Sequence, residues 1–116
     1  MKKLFYFVLI ILLVGCSSGD GRINYTKAKE LIINNQAVLV DIRTEKEYLE
    51  KHIDGAVFFN LDDINEENAL SVIGNKDTYV IVYCKSGKRS SEAYTLLKKI
   101  GYKNVYDLGA MSNWKE

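Results

Sequence analysis

The chain has 116 residues, 16 Lys+Arg against 15 Asp+Glu, one histidine and a formal net charge of +1. That balance gives a nucleic-acid partner no electrostatic support, and the length allows one small domain around a single hydrophobic core. There are two cysteines and no proline, and no internal repeat, low-complexity tract or metal-ligand spacing can be read in the sequence.

The first element in chain order is a leader. Residues 1–16 read MKKLFYFVLIILLVGC, two lysines followed by an apolar run from Leu4 to Val14. The run is shorter than the ~20 apolar residues of a membrane-spanning helix and suits the central region of a secretion signal. Its ending, Leu13-Val14-Gly15-Cys16, resembles the lipobox of bacterial lipoproteins. That resemblance implies cleavage before Cys16 and a diacylglyceryl thioether on its sulfur. A plain secretory signal and an uncleaved anchor helix are the alternatives. The expected organisation is a signal peptide over residues 1–15, a lipidated N-terminus and linker over 16–22, and one domain over 23–116. The domain would then sit in the bacterial cell envelope, lipid-anchored to a membrane and facing outside the cytoplasm. Loss of Lys2 and Lys3 with the leader leaves fourteen basic against fifteen acidic residues. The linker end, SSGDGR, is small and polar and reaches at most about 20 Å at ~3.3 Å per residue.

Helices and strands then alternate. Ala28, Leu31 and Ile32 recur at helical spacing behind Thr26 as a cap, predicting a helix over 26–34. AVLVDI, residues 37–42, is the apolar run of a strand covered on both faces. Residues 45–51 are helix formers, and DGAVFF, residues 54–59, is a turn and a strand. A helix is expected over 66–73 and a buried strand over 78–83. Ser90 opens a helix to Ile100 that aligns Ala93, Leu96, Leu97 and Ile100 and stops at Gly101. A last strand covers 104–108. Such alternation predicts an α/β fold, a mostly parallel sheet with helices on both faces.

Cys84 falls where this layout places ligands, beyond the carboxyl end of a strand and before a helix. The loop Lys85-Ser86-Gly87-Lys88-Arg89 is short, and Gly87 is free to take dihedrals that turn successive N–H groups toward one point. The helix amino end and three cations add positive charge around the sulfur, which favours thiolate over thiol. With Cys16 lipidated, Cys84 is the one free thiol and no internal disulfide can form. The bland alternative is a small core residue closing a strand.

CKSGKRS, residues 84–90, resembles the active-site loop of rhodanese-like domains. Four more motifs follow that family in order: VDIR (40–43), EY (47–48), HIDGA (52–56) and LGAMSNW (108–114). The resemblance covers about residues 25–114. It implies a rhodanese-like α/β fold and a single-domain sulfurtransferase that moves sulfane sulfur, from a donor such as thiosulfate to a thiophilic acceptor, through a Cys84 persulfide. Lys85, Ser86, Gly87, Lys88, Arg89 and Ser90 would form the persulfide-binding loop, with Arg89 shaping it or meeting an anionic donor. Asp41, Arg43, Glu47 and His52 would be structural support, and Trp114 would pack the core edge. No cofactor or metal is implied. The partners would be a small sulfur compound or thiol acceptor, and a membrane through the lipid. Two departures stand out. Ala110 replaces the family's second glycine, which is expected to narrow the backbone beside the loop, and Phe59-Asn60 stands where a proline is common.

Phosphatases and arsenate reductases share this fold but place arginine six residues after the cysteine; here Arg89 is five on and Tyr83 precedes. A non-turnover sulfur carrier or binding module is the reading from outside the enzymes.

Overall fold

The computed structural model describes residues 20–115, so the leader and Cys16 lie outside the described residues. Within them no helix is long and apolar enough to cross a membrane. The elements run α1 (Tyr25–Asn35), β1 (Val38–Asp41), α2 (Glu45–Glu50), β2 (Val57–Phe58), a 3-10 turn (Leu61–Asp63), α3 (Glu66–Val72), β3 (Tyr79–Cys84), α4 (Lys88–Ile100), β4 (Asn104–Ala110) and a closing 3-10 turn (Met111–Asn113).

The four strands make one parallel sheet in the order β2-β1-β3-β4. Strand alternation distributes the core over both faces. Val80, Val82 and Cys84 pack with Ala69 and Ile73 at α3 and with Ala93 and Leu97 of α4. Ile81 and Tyr83 point the other way, onto Ala28 and Leu31 of α1. Fully buried side chains such as Ile81 and Leu97 contribute ~1.5–3 kcal/mol each. The β1–β2 connection leaves β1 on one side while the β3–β4 connection leaves β3 on the other. The crevice beyond the carboxyl ends of β1 and β3 is therefore the topological switch point of the sheet. Asp41 ends β1 and Cys84 ends β3, so both reach that crevice.

Several boundaries differ from the sequence expectation, for local reasons. The α1 cap is Asn24, whose side chain accepts from Lys27 N at 2.9 Å, and Thr26 lies inside the first turn. The preceding residues explain it. Asp107 N donates to Gly21 O at 2.8 Å and Ile23 N to Asp107 O at 2.9 Å, so the chain stays extended beside β4 until Asn24. The last residues of the segment read as a linker are thus docked on the sheet. Gly21 takes φ 61 there, and any Cβ on it would collide with the Tyr94 ring.

α4 begins at Lys88, not Ser90, because Gly87 at φ 101 turns the backbone directly into the helix. At the far end of β4 the pairing slips between Val82 and Tyr83, so that Val82 faces Asp107 but Tyr83 faces Gly109. This bulge carries the strand on to Ala110, paired with Cys84. Ala110 itself has φ −75 and ψ 144, a region every residue occupies. Its methyl is therefore carried without backbone strain.

Candidate active site

Cys84 is fully buried, and two backbone amides converge on its sulfur. Gly87 N donates to Sγ at 2.9 Å and Ser90 N at 3.3 Å. Both follow from the αL turn at Gly87, which swings its own N–H inward and starts α4 so that the amides of the first turn also face the sulfur. Ser90 is buried and donates from Oγ to Gly87 O at 3.2 Å, fastening the loop to the helix. Lys85, Ser86 and Lys88 are exposed; the two lysines carry charge around the rim without a bond to the sulfur.

Arg89 turns its fork onto α2. Nη1 donates to Glu47 Oε1 at 2.9 Å and Nη2 to Oε2 at 3.1 Å, a two-point geometry that only a planar guanidinium gives. Glu47 also completes a capping box. Thr44 N donates to Oε1 at 3.0 Å and Glu47 N to Thr44 Oγ1 at 3.2 Å. The Arg89 hydrogen bond, then the Thr44 amide, hold the Glu47 carboxyl down at about 2. In turn Glu47 raises Arg89 above the ordinary arginine value, and the neighbouring Cys84 sulfur adds to it.

Asp41, Arg43 and Tyr83 form a buried clamp beneath the same helix. Asp41 accepts from Tyr83 Oη at 2.6 Å, from Arg43 N at 3.0 Å and from Arg43 Nη2 at 2.7 Å. Arg43 Nη2 also donates to Lys51 O at 2.6 Å, at the α2 cap, and Ile53 N donates to Tyr83 Oη at 3.1 Å. Burial, then the Asp41 hydrogen bond, pushes the Tyr83 phenol far above its ordinary value, and Asp41 raises Arg43. Among the described residues, no buried side-chain nitrogen or oxygen lacks a partner.

His52 stacks on the Tyr48 ring, centroids 3.7 Å apart, with Nδ1 2.8 Å from Tyr48 O. Tyr48 Oη donates to Ala56 O at 2.8 Å. His52 is thus built into the turn after α2 and makes no bond to the cysteine loop. Trp114 and Tyr25 meet in a T-shaped contact, 4.9 Å between ring centroids. Among the described residues, no three His, Cys, Asp or Glu side chains gather as a metal site.

Sequence reasoning missed Tyr83 and Asn60. A tyrosine inside an otherwise aliphatic strand signals a buried hydroxyl that needs a partner, and Tyr83 carried that signal. Asn60 donates to Arg43 O at 2.9 Å and caps the 3-10 turn by accepting from Asp62 N at 3.1 Å, fixing with hydrogen bonds a bend that proline would fix by its ring.

The chain matches the Rhodanese-like domain family over residues 24–116. It is 32% identical over 74 residues to Thiosulfate sulfurtransferase PspE of Escherichia coli (strain K12), covering 64% of this chain and 70% of that protein. Over 95 residues it is 32% identical to Thiosulfate sulfurtransferase GlpE of Coxiella burnetii (strain RSA 331 / Henzerling II), covering 81% and 86%. Among solved structures, a rhodanese with anions from E. coli superposes with a TM-score of 0.64 at 26% identity, over 68% of this chain and 92% of that one. Human Single Domain Sulfurtransferase TSTD1 superposes with a TM-score of 0.70 over 84% and 99%, a likeness of fold alone at 20% identity. A family match that spans the whole sheet, with a cysteine loop closed on its own amides at the sheet's switch point, decides the assignment: the chain belongs to the rhodanese-like domain family.

Proposed function

We propose that the protein is a sulfurtransferase that carries sulfane sulfur as a persulfide on Cys84. The observation that carries this reading is the pair of loop amides, Gly87 N and Ser90 N, aimed at Sγ. Donors fixed in place before reaction stabilise an anionic sulfur without reorganisation. In the first step the Cys84 thiolate attacks the outer sulfur of thiosulfate. The new S–S bond forms as the old one breaks, and sulfite leaves with the electron pair. In the second step a nucleophilic acceptor attacks that outer sulfur, and Cys84 departs as thiolate. Arg89 acts on this chemistry by holding the loop against Glu47, and the rim cations Lys85 and Lys88 draw the anionic donor in. The relatives named thiosulfate sulfurtransferases support thiosulfate as the donor. The lipobox ending at Cys16 supports a lipid-anchored place in the bacterial envelope.

The test is direct. The full chain incubated with thiosulfate gains the mass of one sulfur atom, which cyanide removes, and Cys84→Ser gains nothing while keeping its fold. Hydrolysis of phosphate esters or reduction of arsenate in place of sulfur loading would reverse the reading. Cys16→Ala loses lipid labelling; normal labelling of that variant would remove the anchor.

A further inference from the structure

We propose that Arg22 and Asp107 are positioning residues for the chemistry at Cys84: the segment 21–23, docked along β4, holds through them the bulge that backs the cysteine loop. That the loop transfers sulfur rests on the reading above; that these residues shape it rests on geometry.

The sequence supplies Asp107-Leu108-Gly109, a carboxylate two residues before a glycine. Asp107 Oδ1 accepts from Gly109 N at 2.8 Å, the turn that an aspartate makes with its own backbone, and Gly109 takes φ 84. This is the bulge of β4. Asp107 pairs with Val82, so its side chain lies on the face of the sheet that carries Cys84 and α4. Its other oxygen, Oδ2, accepts from Arg22 Nε at 3.2 Å. The Asp107 side chain is 1% exposed and that of Arg22 47%, so a cation from the N-terminal segment covers a buried anion.

Near contacts lead from that pair to the sulfur. A Cβ on Gly109 would stand 3.4 Å from Arg22 Nη1 and 3.1 Å from Asn113 Nδ2, and one on Gly87 would stand 3.7 Å from Gly109 Cα and from Ala110 N. Gly109 is thus held between the guanidinium and the turn of the cysteine loop. Gly87 N donates to Sγ at 2.9 Å. The docked segment also meets α4, which continues the loop, since Gly21 lies against the Tyr94 ring. With the guanidinium removed, the carboxylate is left buried without its counter-charge and turns toward water, withdrawing the acceptor of Gly109 N. The bulge then relaxes away from Gly87, and the Gly87 amide loses its aim at Sγ. A fastening that served the fold alone would cost stability and leave the loop as it is.

The test uses the full chain in detergent, with amide resonances and sulfur loading as separate readouts. Arg22→Met, which keeps the apolar stem, is expected to move the Gly87 and Gly109 amide resonances, and Arg22→Lys, which keeps the charge, to leave them close to wild type. Ala28→Gly, on the opposite face of the sheet, lowers stability and moves neither. In single turnovers with thiosulfate, Arg22→Met is expected to lower the maximal loading rate by roughly two- to tenfold, the worth of one hydrogen bond. The thiosulfate concentration giving half that rate stays within roughly twofold of wild type, because Arg22 holds the loop and not the donor. Asp107→Asn acts in the same direction from the buried side, and the double variant is no worse than the worse single. An unmoved Gly87 amide in both single variants overturns the proposal, as does a loading rate that falls no further than in Ala28→Gly. A changed half-saturation at an unchanged maximal rate makes Arg22 a donor contact and overturns its positioning role. A wild-type protein that never loads defeats the sulfur-transfer reading alone, and the resonances still judge whether Arg22 and Asp107 shape the loop.

Discussion

The cysteine loop and the helix α2 beside it are held by different forces. α4, which continues the loop, buries Ser90, Ala93 and Leu97 and is anchored by apolar area. α2 buries no residue at all. It is fastened by Arg43 at its carboxyl cap, by the Thr44–Glu47 capping box at its start and by the Glu47–Arg89 fork on its flank. Apolar packing tolerates small shifts, whereas a polar fastening in a partly dry place fails when one partner goes. The loop's shape should therefore depend on α2 through a few hydrogen bonds, each removable alone.

The strongest way to break this comparison is at the clamp. Asp41 is fully buried and Arg43 nearly so, and Asp41→Ala would leave the guanidinium without its counter-charge. The expected loss is ~3–5 kcal/mol of stability, read as a lower midpoint in urea. Tyr83→Phe removes one donor to Asp41 and the acceptor of Ile53 N, for ~1–3 kcal/mol. Surface-like losses at both positions would show that α2 is held by something other than the clamp.

At the fork, Arg89→Ala should raise the barrier to sulfur transfer by ~1–3 kcal/mol with little change in melting temperature, since the two loop amides on Sγ remain. Glu47→Gln should cost less. The double variant should be no worse than Arg89→Ala, because both changes remove one interaction. Additive losses would separate the two residues and leave Arg89 acting on the donor directly.

The loop has its own weak point. Gly87 sits at φ 101, and although a Cβ there would find only ordinary contacts at 3.7 Å, an L side chain resists that dihedral by ~1–2 kcal/mol. Gly87→Ala should spend that strain by unwinding the turn, taking the Gly87 amide off Sγ and lowering transfer more than stability. A large fall in stability with intact transfer would mean that the turn matters to the fold and not to the sulfur.

The same division explains what could be read from the sequence. The sheet, α4 and the place of Cys84 were legible because buried strands and an amphipathic helix write their periods locally, as in YVIVY before the cysteine and Ala93, Leu96, Leu97 after the loop. Short spacing from Cys84 to Gly87 and Arg89 also showed the loop. The partner of Arg89 was not legible, since Glu47 lies 42 positions away and nothing in a charged hexapeptide such as EKEYLE says which carboxylate turns inward. Asn24 as the α1 cap was hidden for a similar reason: it depends on where β4 releases the preceding chain. Polar contacts between distant segments have no period, and only the folded geometry selects them.

The smallest expected effect is in acid. Glu47 is lowered from an ordinary 4.5 to about 2, first by Arg89 and then by the Thr44 amide. A carboxyl depressed in the folded state binds its proton more readily when unfolded, so stability from this pair is fully present above about 4.5 and is lost as the pH falls toward 2. Glu47 is 26% exposed and Arg89 33%, so solvent and salt share their field and the slope is shallow. Urea midpoints measured between pH 5 and pH 2 (roughly the interval in which such a carboxyl titrates) should fall more steeply for wild type than for Glu47→Gln, and the difference should shrink in high salt. Identical slopes would mean that the fork adds nothing to stability and only orients the loop.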